Sequence, residues 1–151
     1  MSRRRGFTMI EMLMVMVIIG ILASIGLLRY IDLRDHAVAA GVMSDLENIR
    51  LSAYNYWADH NAFPPEAGPG VMPAGLQPYM TTGFRFDNPK YTLDWENTGG
   101  GGGGGMQVGV IVTSTDARLT AILVQRAASG LPFFIAGSSV AFIIVGPDGA
   151  M

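Results

Sequence analysis

Two patterns of apolar positions meet near residue 28. From Met12 to Leu28 only Gly20, Ser24 and Gly26 interrupt a continuous apolar run, and with residues 7–9 included the stretch carries one charge, Glu11. As a helix, residues 7–28 would extend ~33 Å, a match to the ~30 Å hydrocarbon core of a bilayer. A membrane span is predicted.

Beyond it the apolar positions become periodic. Ile31, Val38, Val42, Leu46, Ile49, Ala53 and Trp57 recur mostly at steps of three, four or seven, with Asp32, Arg34, Asp45, Glu47 and Arg50 between them. That is one amphipathic helical face. No proline falls before Pro64, so a single helix is expected from about Thr8 to Asn61, closed by the Pro64-Pro65 pair. Gly20 and Gly26 suit either a bend or close packing against another helix.

Residues 66–82 hold six glycines and prolines, Gly68, Pro69, Gly70, Pro73, Gly75 and Pro78, and with Pro65 before them predict a long surface loop anchored by Leu76 and Tyr79. Strands follow: weakly over 84–86, clearly over 91–96, where Tyr91, Leu93 and Trp95 alternate with polar residues, and again over 106–112. The glycine run 99–105 between the last two predicts a flexible turn in a hairpin. A short helix from Asp116 to about Ala128 is expected, capped by Ser114 or Thr115, with Leu119, Ile122, Leu123 and Ala127 on one face. A final hairpin over 131–145 turns at 137–139, and its second arm, apolar on both faces, belongs in the sheet interior.

The organisation is thus a short leader (1–6), a span (7–28), an amphipathic continuation (29–61) and one β-rich domain (62–151, with loop 62–82 and sheet 84–145). Charge adds direction. Arg3, Arg4 and Arg5 precede the span, which places the N-terminus in the cytoplasm and the domain outside. Without that leader the chain has seven Lys and Arg against twelve Asp and Glu, a net −5 that argues against nucleic acid as a main partner. With no cysteine, an exported domain must hold by packing alone.

Glu11 needs an explanation, since a carboxylate within a membrane helix costs ~2.5–3.5 kcal/mol at the bilayer centre. Cutting the chain after Gly6 would create a cationic amine on Phe7, four residues away. Within one chain that pairing strains the first turn; between staggered copies the amine of one meets Glu11 of the next. Such head-to-tail contacts generate filaments.

Arg3-Arg4-Arg5-Gly6, then Phe7-Thr8-Met9-Ile10-Glu11 and an apolar run, resembles the leader of type IV pilins and type II secretion pseudopilins. The resemblance covers roughly the first third of the chain. It implies cleavage after Gly6 by a prepilin peptidase, N-methylation of Phe7, and a role for Glu11 in assembly. It implies a pilin-like α+β fold: a long N-terminal helix packed on a small antiparallel sheet, with one short extra helix. The expected partners are copies of the chain and related pilins, the peptidase and an inner-membrane platform protein; the location is the inner membrane, then a filament. The exit Asp59-His60-Asn61-Ala62-Phe63-Pro64-Pro65 leans towards pseudopilins. The rival reading is a single-pass anchored binding module in which Glu11 is incidental.

Other chemistry finds little support. The glycine run lacks the Lys-Ser/Thr ending of a phosphate loop, and His36 and His60, ~36 Å apart on one helix, cannot share a metal. Some secretion pseudopilins hold calcium in a C-terminal loop, and Asp87, Asp94, Glu96, Asn97 and Asp148 are oxygen donors here, but their spacing fits no defined calcium loop. No cofactor, metal or catalytic residue is predicted, and no enzyme.

Overall fold

The computed structural model describes residues 6–99, 107–128, 132–137 and 139–146. Its dominant element is α1, Met9–His60, a helix of 52 residues that runs without interruption through Gly20 and Gly26. Asn61 ends it in the left-handed conformation (φ 52°), its N–H donating to the Trp57 carbonyl at 2.7 Å. Asparagine tolerates that conformation better than most residues, and the prolines beyond forbid a further turn.

The sheet comprises β1 (Asp87–Asn88), β2 (Tyr91–Asn97), β3 (Val108–Thr113), β4 (Phe133–Ala136) and β5 (Ser139–Val145), with α2 (Ala117–Ala128) between β3 and β4. Its order is β1-β2-β3-β5-β4, and every neighbouring pair is antiparallel. The fold is therefore α+β and pilin-like, a long helix on a small antiparallel sheet with one extra helix. β5 lies in the interior, as its two apolar faces require.

Alternation along β2 sends Tyr91, Leu93 and Trp95 inward, where they meet Val42, Leu46, Ile49 and Ala53 of α1 in one core with Val110, Val112 and Phe142. Polar contacts fasten helix to sheet. The Tyr54 hydroxyl donates to the Ile144 carbonyl at 3.1 Å, the Tyr91 hydroxyl donates to the Asp45 carboxylate, and the Trp95 indole N–H donates to the Pro64 carbonyl at 3.1 Å. Burial, with the neighbouring Asp45 charge, pushes the Tyr91 phenol well above its usual range.

The long loop is anchored as expected, Leu76 fully buried and the Tyr79 hydroxyl donating to Asp59 at 2.6 Å. It also closes the β2 edge, because the Gly70 N–H donates to the Leu93 carbonyl at 2.9 Å and Ala67 bridges Trp95. At Gly75 a Cβ would stand 2.6 Å from the Tyr56 ring, which His60 stacks on at 4.1 Å, so a larger residue there would have to push that ring aside.

Several expectations need correction. The weak strand over 84–86 forms two residues later, at Asp87–Asn88, because Phe86 turns into the core instead. Trp57 leaves the buried face and packs on Phe63, 42% exposed, while Asp35 takes a buried place on it. The cap of α2 is Asp116, whose carboxylate accepts from Arg118 N–H at 2.9 Å; Ser114 instead accepts from the Asp116 N–H and donates to the Lys90 carbonyl. Ser139 belongs to β5, paired with Ala136, so the last turn is one residue tighter. The glycine run beyond Gly99, and Met106 with it, lies outside the described residues, as does Asp148.

Candidate assembly site

The candidate site begins where α1 begins. Thr8 precedes the helix in an extended conformation (φ −81°, ψ 151°) and caps it. The Glu11 N–H donates to Thr8 Oγ1 at 3.3 Å, and Glu11 Oε2 accepts from the Thr8 N–H at 2.8 Å and the Thr8 hydroxyl at 2.9 Å. This reciprocal capping box satisfies two donors that a helix start leaves free. It also gives the carboxylate two donors of its own chain, which lowers the cost of holding it among apolar side chains.

Sequence reasoning singled out Glu11 and passed over Thr8 as its partner. The signal was present: a threonine three residues before a glutamate, at the head of an apolar run, is the capping-box pattern. The box holds Glu11 on the first turn, beside the chain end that cleavage after Gly6 would free.

Gly6 and Phe7 lie outside the helix and exposed, Phe7 at 77%. A Cβ on Gly6 would meet nothing within 4 Å, so no packing within the chain demands glycine there. From Met9 to Tyr30 every side chain of α1 is exposed, a surface of Met, Ile, Leu and Val all round the helix. By length and composition this part is able to cross a membrane.

The other candidates are dispersed. His36 is exposed on α1, and His60 stacks on Tyr56 near its end. Asp94 and Glu96 share the outward face of β2 with Glu66 nearby. Partial burial first, and then repulsion, from Glu66 on Asp94 and from Asp94 and Glu66 on Glu96, raises both of their carboxyls above the usual range. Asn97 turns its amide to the Pro64 carbonyl at 2.8 Å, and Asp87 pairs with Thr92 across the edge. Among the described residues no group of three or more His, Cys, Asp or Glu is placed to hold a metal ion.

Known proteins agree with the N-terminal reading. Residues 1–27 match the family described as the prokaryotic N-terminal methylation motif. The chain is 48% identical over 52 residues to the type IV narrow pilus major component PilA5 of Thermus thermophilus. That alignment takes in 34% of this chain and 44% of the relative, so the chain spans less than half the length of the curated relative it matches. No solved structure matches. The likeness lies in the N-terminal segment, which carries the methylation motif and is similar to that of a type IV pilin.

Proposed function

We propose that the chain is a structural subunit, not an enzyme, of a type IV pilus-like filament. It is cut after Gly6 by a prepilin peptidase and methylated on Phe7. It is held in the inner membrane by residues 7–28 with its domain outside, and then polymerises through α1 with the help of a platform protein. A type II secretion filament is the same architecture in another setting, towards which the helix exit over residues 59–65 leans.

The observation that carries this reading is the division of α1. One uninterrupted helix is exposed over its first 22 residues, apolar on all sides from Met12 to Leu28, and then buries a single stripe against its own domain. A helix apolar all round calls for an apolar environment all round, which lipid supplies before assembly and neighbouring helices after it. Exchange between the two costs little. Glu11 supplies direction, because in the filament its carboxylate meets the Phe7 amine of an adjacent copy while the Thr8 contacts hold it in place. No metal or cofactor enters this function.

The test is the intact mass of the mature chain. Loss of residues 1–6 and gain of one methyl on Phe7 is the expected result. A mature protein that retains its leader would favour the anchored-module reading. Gly6→Val should block the cut without disturbing the fold, since the added side chain meets open space.

A further inference from the structure

We infer that a second charged contact locks the register between copies: Arg29 of one subunit enters an acidic cleft between α1 and α2 of the next. The inference rests on the filament reading above and adds to it a contact at the membrane-proximal end of the domain.

The cleft, about 330 Å³, is lined by Asp32, Asp35 and His36 of α1 and by Arg118, Ala121 and Ile122 of α2. Asp35 is its unusual member. Only 10% of its side chain is accessible, and among the described residues its carboxylate accepts no hydrogen bond; the nearest cation is Arg34, whose Nε stands 3.9 Å away. Its oxygens are not cut off from water, and the carboxylate lies beside an open cleft with a second carboxylate, Asp32, at the exposed rim. Arg118 lines the other wall but forms no ion pair with either acid. The site has room and charge for one more cationic side chain.

The geometry of the proposed filament names that side chain. If the Phe7 amine of an upper copy meets Glu11 of a lower one, the upper copy is raised by about 6 Å for a helical start, or about 10 Å with residues 7 and 8 extended as they are here. That offset brings Arg29 of the upper copy level with positions between 33 and 36 of the lower, beside Asp32 and Asp35. Asp32, Asp35 and His36 lie 21, 24 and 25 residues beyond Glu11, about 60°, about 120° and about 20° from its direction around the helix axis, so the Asp32 rim of the cleft is the part turned towards the neighbour that Glu11 meets. Arg29 is exposed and makes no ion pair among the described residues. Arginine suits a partly desolvated carboxylate because its guanidinium offers several fixed donors to the two oxygens.

The chain contains no cysteine, so a pair of single-cysteine chains reads the contact directly. Full-length Arg29→Cys and Asp32→Cys chains are expressed together, and sheared filaments are treated with a mild oxidant and run without reductant. A dimer band from the mixture, absent when either chain is expressed alone, is the expected result. Arg29→Glu should cut filament yield roughly tenfold or more at unchanged membrane content, since it sets a like charge against a buried acid. The swap Arg29→Asp with Asp32→Arg should restore it. Mixed filaments that assemble and give no dimer overturn the inference and leave the filament reading intact. If the cysteine chains do not assemble, the swap decides, and failure to recover yield overturns it. An unmodified chain that forms no filament overturns the filament reading and this inference together.

Discussion

The two halves of α1 share one backbone and almost nothing else. In the lower half, Leu13, Leu22 and Leu28 are each 60% exposed or more; in the upper half, Val42, Leu46, Ile49 and Ala53 are at most 1% exposed. Both halves are helical because neither contains a proline and both satisfy their own backbone hydrogen bonds, so helicity does not distinguish them. The distribution of apolar residues does. A stripe at helical spacing needs one partner surface and finds it in β2, β3 and β5; a cylinder apolar all round finds none within its own chain. The lower half is therefore built for surroundings outside the chain, lipid or other helices.

Matched truncations sharpen the contrast most. Leu46→Ala should destabilise the domain by about 2–5 kcal/mol, because it opens a cavity between α1 and the sheet. Leu22→Ala should leave domain stability unchanged, since no described residue packs on it. Thermal unfolding of the full chain in detergent, followed by near-ultraviolet signals from Trp95, measures both. An equal loss from the two would mean that the lower half is also packed on the domain.

Much of this division was legible in sequence because it depends on local periodicity. The helix ends within one residue of expectation, and β2, β5 and α2 stand where alternation, a doubly apolar run and helical spacing put them. What escaped depends on contacts distant in sequence. Asp35 is polar on an apolar stripe, and only the approach of α2 buries it. Trp57 has the right spacing for the core but lies beyond the sheet's reach, where Phe63 turns back to meet it. That β5 lies inside the sheet was legible, but that β3 is its second neighbour has no local signature, since α2 and β4 separate the two in sequence. Thr8 is different, because its role is local: the Thr-x-x-Glu spacing at the head of an apolar run is itself the mark of a helix cap.

A smaller effect tests the loop that clasps the upper half. Gly75→Ala would place its Cβ against the Tyr56 ring, and the stacked His60 limits the ring's retreat. A loss of about 1–3 kcal/mol is expected from such overpacking, again by thermal unfolding. No loss would show that the loop gives way freely.

The smallest expected effect concerns pH. Asp94 and Glu96 have raised carboxyl pKa values in the folded domain, so the folded state binds protons more readily than the unfolded one. Stability should then fall as pH rises from the unfolded carboxylate range, near pH 4, through the raised folded values. Glu96→Gln should raise the Tm slightly at pH 7, and the gain should shrink as the pH approaches about 4, where the wild-type carboxyl is itself protonated. A gain of the same size at both pH values would assign the effect to something other than charge.

The central claim is that the lower half of α1 serves assembly, and Glu11→Ala tests it most directly. Removing the carboxylate frees the Thr8 donors, a loss of about 1 kcal/mol, but relieves a burial cost of up to ~3 kcal/mol. The variant should therefore reach the membrane at least as well as wild type and still be cut after Gly6. Its filaments should be lost, because the Phe7 amine of each adjacent copy would be buried without a partner, at about 3–5 kcal/mol per contact. The measurement is sheared filament yield beside membrane content for both proteins. Undiminished membrane content with filament yield near zero is the predicted result, and wild-type filament yield from Glu11→Ala would contradict the account.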